Sequence, residues 1–132
     1  MAKPILCLDF DGVCHSYTSK WQATDVIPDP PVKGLWGFLI IACDAFDVCI
    51  FSSRSAVPEG VNAMINWFQQ HAPFEGPVTV SESHISWYGD MVCLTFPTSK
   101  PAAFLTIDDR ALLFTGVWPD ARSLLKFKPW NK

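Results

Sequence analysis

Four short stretches of this sequence carry residues able to do chemistry together. Asp9-Phe10-Asp11-Gly12 sets two carboxylates two residues apart ahead of a glycine, and Ser52-Ser53-Arg54 supplies two hydroxyls and a guanidinium. Lys100 supplies an ammonium, and Asp108-Asp109-Arg110 adds two more carboxylates and a second guanidinium. Two unit charges about 4 Å apart interact by about 4 kcal/mol at an effective dielectric near 20, so four crowded carboxylates do not all stay ionised unaided. All-oxygen ligands select a hard cation, and Mg²⁺ is the usual one where phosphate is the co-ligand. Each stretch alone also has an ordinary reading: a turn with satisfied side chains, loop serines, a solvated lysine, an aspartate pair capping a helix. Their common placement is what favours chemistry.

That placement depends on the elements before each stretch. Ile5 to Leu8 is a continuous apolar run, the pattern of a strand buried on both faces of a parallel sheet, and it ends at Asp9. Val48 to Phe51 repeats the pattern and ends at Ser52; Phe104 to Ile107 repeats it and ends at Asp108. Leu35 to Ala45 is apolar enough for a mostly buried helix. Pro58-Glu59 opens an amphipathic one, with Val61, Met64, Ile65 and Phe68 at i, i+3, i+4 and i+7. Val92 to Phe96 is a fourth strand, joined to the next by a connection too short for a crossover helix. Ala72 to Asp90 carries two prolines and two glycines and reads as an insertion containing a hairpin. Asp120 is placed to N-cap a short final helix through Leu125, with Pro129 stopping it. Alternating strands and helices predict an α/β fold: a three-layer, Rossmann-like parallel sheet with helices on both faces, forming one domain over residues 1–132. In such sheets ligands bind outside the carboxyl ends of the strands, where the four stretches fall.

Composition narrows the classes. At 49% hydrophobic and 17% charged residues the chain can form a packed core and is not a disordered segment. The net charge of −3 gives no strong long-range attraction for a nucleic-acid backbone. Five scattered cysteines, mostly within apolar runs, read as reduced core residues and show no zinc-finger spacing. The longest apolar stretch, Leu35 to Cys43, is far short of the roughly 20 residues that span a bilayer, and the N-terminal residues have no signal-peptide pattern. A cytoplasmic protein without membrane association is the expectation.

The same residues resemble a known family. Leu6-Cys-Leu-Asp-Phe-Asp-Gly-Val13 is similar to the first motif of the haloacid dehalogenase-like phosphohydrolases. Ile50-Phe-Ser-Ser-Arg54 resembles the second motif, Lys100 the third, and Leu105-Thr-Ile-Asp-Asp-Arg110 the Asp-Asp form of the fourth. The motifs occur in the family's order across residues 5–110, and the Ser-x-Arg and Asp-Asp-Arg combination is similar to the 3′-phosphatase domain of bifunctional polynucleotide kinases. The resemblance implies a Mg²⁺-dependent phosphomonoesterase of the capless type. Asp9 is then the nucleophile that becomes an aspartyl-phosphate, Asp11 the general acid and base, and Lys100 the cation that neutralises charge at the phosphoryl group. Gly12, Ser52, Ser53 and Arg54 are implied as phosphate-binding residues. Asp9, the main-chain carbonyl of Asp11, Asp108 and Asp109 are implied as the metal site, with Asp109 the more direct of the last two. The implied partner is a phosphorylated substrate, with a nucleic-acid end slightly favoured because Arg54 and Arg110 could hold a neighbouring phosphate.

Two other readings compete. A receiver domain gathers similar groups, but its acidic pair comes early in the chain rather than last. A non-catalytic phosphate- or metal-binding module of the same family would be expected to lose Asp9, Asp11 or Lys100, and all three are present. His15 follows the first motif closely and is expected on the surface. Trp21 and Trp87 lie in expected loops and are candidates for a substrate entrance. The sequence does not fix an oligomeric state.

Overall fold

The computed structural model describes residues 2–89 and 91–131. The elements run β1 (Ile5–Leu8), α1 (Leu35–Ala45), β2 (Asp47–Ile50), α2 (Pro58–His71), β3 (Val78–Ser81), β4 (His84–Trp87), β5 (Val92–Thr95) and β6 (Leu105–Ile107). Short 3-10 turns lie at Ser53–Ala56 and Ala121–Lys126. The strands form one six-stranded sheet in the order β3-β4-β5-β2-β1-β6. The chain is therefore α/β, but the sheet is mixed, not wholly parallel. β5, β2, β1 and β6 run parallel, while β3 and β4 form an antiparallel hairpin that extends the sheet beyond β5. The expected insertion thus contains the expected hairpin and joins the sheet through β3 and β4, while Asp90 at its end lies outside the described residues. α2 carries the chain over from β2 to β3, and β3, β4 and β5 then pair in succession with no further helix.

The expectation of helices on both faces is also corrected. Register aligns Leu6, Leu8, Val48, Ile50 and Leu94 on one face of the sheet, and these join α1 and α2 in a single buried cluster. The helices touch directly, Trp36 of α1 meeting Phe68 of α2 edge-to-face at 6.0 Å. The reason lies in the connections. β1 to β2 and β2 to β5 step in the same direction along the sheet, and right-handed crossovers that step the same way lay their helices on the same face. The return from β5 to β6 steps back across β2 and β1, which the same rule sends over the opposite face, and residues 96–104 that make it contain no helix. Pro97 and Pro101 of this strap share a cavity with Ile5, Cys49 and Thr95 on the reverse face.

Two element-level expectations hold closely: α1 spans Leu35–Ala45, and α2 starts at Pro58 and buries Val61, Met64, Ile65 and Phe68. A third does not. β6 was expected as a strand buried on both faces, yet it is an edge strand whose Leu105 is 53% exposed, and Phe104 before it is 74% exposed. Among the described residues no helix follows β6 to cover it. Residues 111–128 are exposed, and the expected final helix is a 3-10 turn whose Asp120 makes no side-chain cap. Of the five cysteines, Cys7, Cys14, Cys43 and Cys49 are buried and all five are free thiols. No described helix is long and apolar enough to cross a membrane.

Candidate active site

Parallel register sets the ends of β1, β2 and β6 level with one another. Leu8 pairs with Ile50 on one side and with Ile107 on the other, so Asp9, the Phe51–Arg54 turn and Asp108 emerge at one edge. The Asp9 N–H continues the pairing to the Ile107 carbonyl at 3.0 Å. From β1 the chain proceeds to β2 on one side and later returns to β6 on the other, which makes the edge above β1 a topological switch point.

After β1 the chain turns sharply. The Phe10 carbonyl accepts from the amides of Val13, Cys14 and His15 at 2.9–3.2 Å, and the Gly12 amide donates to the His15 carbonyl at 2.8 Å. Phe10 is fully buried against Trp67 and Phe68 of α2, which anchors the loop to the core. Gly12 sits at φ +84°, in the left-handed region, and a Cβ there would collide with the Asp109 carboxylate. The glycine thus lets the β6 end close onto the β1 end.

Asp9, Asp108 and Asp109 each bring a carboxylate oxygen within 4.8 Å of the others. Burial pushes the Asp9 carboxyl up to about 8, and the charges of Asp108 and Asp109 push the same way. Asp108 is exposed and accepts the Arg110 amide at 2.8 Å. The Asp109 side chain is 3% exposed, and its Oδ1 is buried with no hydrogen-bond partner among the described residues. An orphaned buried carboxylate oxygen beside two further carboxylates fits a hard divalent cation, which would supply the missing partner and offset the repulsion.

A cavity of about 260 Å³ adjoins this cluster, lined by Asp9, Ser52, Ser53, Lys100 and Asp108 with Cys7, Phe51 and Thr106 beneath. Lys100, on the strap between β5 and β6, is exposed and joins the aspartates there, although its connection carries no helix. The two serines differ. The Ser52 hydroxyl is buried, accepts the Arg54 amide at 3.0 Å and lies 3.6 Å from Met64 Sδ, so it shapes the turn. Ser53 is exposed on the cavity wall.

No family model, curated protein or solved structure is significantly similar to this chain.

Asp11 does not join the carboxylate cluster. Its side chain, 14% exposed, is held instead by two donors: Arg54 Nε donates to Oδ2 at 3.0 Å and Oδ1 at 3.3 Å, and His15 Nδ1 lies 2.8 Å from Oδ1. Arg54 is fully buried: Nη1 donates to the Ala23 and Thr24 carbonyls at 2.8 and 2.7 Å, and Trp21 covers the guanidinium at 4.5 Å. Gly60 in the first turn of α2 presses on the Arg54 carbonyl, where a Cβ would clash. Arg54 therefore orients Asp11 and pins the Val13–Gly34 segment, and it is enclosed away from the cavity that holds Ser53 and Lys100. Nη2, which has no hydrogen-bond partner among the described residues, is its one uncommitted nitrogen. Arg110 is exposed, with Nε 3.9 Å from Asp109 Oδ2.

His15 is fully buried, contrary to the expected surface position. Trp87 packs in the core and is not at an entrance, whereas Trp21 is 45% exposed beside the site. Trp130 was not anticipated at all: its indole N–H donates to the Gly12 carbonyl at 2.8 Å. Nothing in local sequence signals a contact across 118 positions.

Proposed function

We propose that this chain is a Mg²⁺-dependent phosphomonoesterase of the haloacid dehalogenase-like kind, acting through an aspartyl-phosphate on Asp9. The observation that carries the reading is the convergence of Asp9, Asp108 and Asp109 on one edge, beside a cavity that Ser53 and Lys100 also line. The strand ends are an α/β binding edge, and the acidic cluster with an adjacent ammonium matches a metal-bound phosphoryl group better than any apolar ligand.

Each residue then has a task. An Asp9 oxygen attacks phosphorus, forming the acyl-phosphate bond as the ester P–O bond breaks. Asp11 gives its proton to the departing oxygen and then accepts one from the water that attacks phosphorus, which breaks the bond to Asp9 and releases phosphate. A carboxylate has about four lone-pair sites, and Arg54 and His15 occupy three on Asp11. The site left on Oδ2 is the one that exchanges the proton. Lys100 and the Ser53 hydroxyl neutralise and hydrogen-bond the non-bridging oxygens as charge builds on them. Bound at Asp9, Asp108 and Asp109, Mg²⁺ would offset the mutual repulsion of carboxylates and phosphate and keep Asp9 ionised for attack.

With Arg54 committed to Asp11, Arg110 is the guanidinium placed to hold a neighbouring phosphate. The Val13–Gly34 segment and the β3–β4 hairpin are too small to enclose a substrate as a cap domain would. A large phosphoester such as a nucleic-acid end is the substrate class we favour. Phosphate release measured with and without Mg²⁺ tests this on p-nitrophenyl phosphate, nucleotides, sugar phosphates and 3′- or 5′-phosphorylated oligonucleotides. Mg²⁺-dependent release that vanishes in Asp9→Asn supports the reading, with the oligonucleotide preferred and its rate falling as salt is added. Absence of release from every ester sinks it and leaves a binding module.

A further inference from the structure

We propose that His15 is a positioning residue for Asp11, carrying its single ring proton on Nδ1 because the main-chain amide of Asp29 occupies Nε2. The inference follows from which groups can donate. Nε2 lies 3.1 Å from the Asp29 amide nitrogen. A main-chain N–H only donates, so Nε2 has to accept and bears no proton. The ring proton is then on Nδ1, 2.8 Å from Asp11 Oδ1, and donates to that carboxylate. Asp29 Oδ2 lies farther from Nε2, at 3.5 Å, and the two Asp29 oxygens already accept from the Ser19 amide and hydroxyl at 2.7 and 2.6 Å.

Everything around the ring resists its turning over. It is fully buried, stacked on Phe10 at 5.5 Å, and met edge-on by Tyr17 and Trp67 at 5.9 Å each. Asp29 is held in turn by Trp67, whose indole N–H donates to its carbonyl at 2.9 Å. A continuous chain of hydrogen bonds thus runs from α2 through Asp29 and His15 to Asp11. Arg54 grips Oδ2 at 3.0 Å and Oδ1 at 3.3 Å, and His15 grips Oδ1. Two donors from different elements fix both the position and the plane of the carboxylate. Removing one leaves it attached but free to rotate about the other, and a misaimed acid transfers its proton less well.

The kinetic consequence rests on the hydrolase reading above; the tautomer does not. Long-range ¹H–¹⁵N NMR of the imidazoles in the metal-free full chain at neutral pH should show Nδ1 protonated and Nε2 bare for His15. A ring protonated on Nε2 alone, or on both nitrogens, overturns the proposal. The kinetic arm compares His15→Asn, whose side-chain NH₂ replaces the Nδ1 donor, with His15→Gln, whose amide falls nearer the Nε2 position. For an alkyl phosphate, whose leaving group needs the proton, kcat should drop about tenfold or more in His15→Gln with KM little changed. That is a part of the roughly 10²–10⁴-fold that acid–base catalysis supplies. His15→Asn should recover most of the loss, and p-nitrophenyl phosphate, with its better leaving group, should suffer less in both variants. Equal losses for the two esters, or no difference between Asn and Gln in folded protein, would make His15 a packing residue only. If the wild type hydrolyses no ester the hydrolase reading fails, and the NMR measurement still decides the tautomer. Should both variants misfold, that wild-type spectrum decides it alone.

Discussion

Replacing Asp9 by Asn should stabilise the metal-free protein at alkaline pH. The Asp9 carboxyl is pushed from 3.8 to about 8 by burial and by the neighbouring Asp108 and Asp109 charges. A carboxyl whose value is raised on folding binds its proton more tightly in the native state than in the unfolded chain. Its contribution to stability is therefore present below about pH 4 and is lost as pH rises towards 8, after which it changes no further. Four units at about 1.4 kcal/mol each set a ceiling of about 6 kcal/mol. Asp9 is only partly buried, and an effective dielectric near 20 reduces the expected cost to about 2–4 kcal/mol. Asparagine keeps the shape and has no charge to expose. Urea unfolding followed by tryptophan fluorescence, in EDTA at pH 5, 7 and 9, reads this directly. Groups remote from the cluster titrate alike in both proteins, so the gap between variant and wild type reports the carboxylate cluster around Asp9. It should widen by about 1–2 kcal/mol in favour of the variant from pH 5 to pH 9, the rest of the cost having already accrued between pH 4 and pH 5, and added Mg²⁺ should close it. A gap that does not change with pH would refute the electrostatic account of the cluster.

Other perturbations follow from the same geometry. Mg²⁺ should raise the melting temperature of the wild type, by about 2.7 kcal/mol of stabilisation at a hundredfold excess over Kd, and the Asp108→Asn/Asp109→Asn double variant should lose that response; a shift that persists would place the cation elsewhere. Gly12→Ala should cost about 1–2 kcal/mol for the left-handed backbone alone, and the clash with Asp109 should weaken the Mg²⁺ response in a thermal titration. Arg54→Ala should destabilise by about 3 kcal/mol, because it strips a buried partner from Asp11 and frees the Ala23 and Thr24 carbonyls. Its turnover should fall alike for an oligonucleotide and a small ester, whereas selective loss of the oligonucleotide would show that Arg54 touches substrate.

What was legible in the sequence was local. The Ile5–Leu8 run and the Leu35–Ala45 and Pro58-led helices carry their own periodicity and stop signals, and they appear where those signals put them. The edge that gathers Asp9, Lys100, Asp108 and Asp109 was legible as well, since a residue that follows a parallel strand has only one end to occupy. What was hidden depends on direction and depth. Element order does not say which way successive crossovers step, so the single helical face was not visible. The hairpin in the Ala72–Asp90 insertion was legible, but Val78–Ser81 is largely exposed and nothing in its sequence says that the hairpin extends the main sheet beyond β5. Arg54 and His15 look like surface residues by type. Both are buried because Asp11, four residues before His15 in a folded-back loop, offers a carboxylate that pairs with each. Ser52 and Ser53 are alike as letters, and only the 3-10 turn separates the hydroxyl that shapes the backbone from the one that faces the cavity.

The central claim, that Asp9 accepts a phosphoryl group, is tested most directly by acid-quenching the protein during turnover with Mg²⁺ and a phosphoester, then mapping peptides by mass spectrometry. The account predicts one added phosphoryl group on the peptide that contains Asp9, absent without Mg²⁺ and absent in Asp9→Asn. Turnover with the phosphoryl group on another residue, or with no phosphorylated peptide under conditions that preserve acyl phosphates, would contradict it.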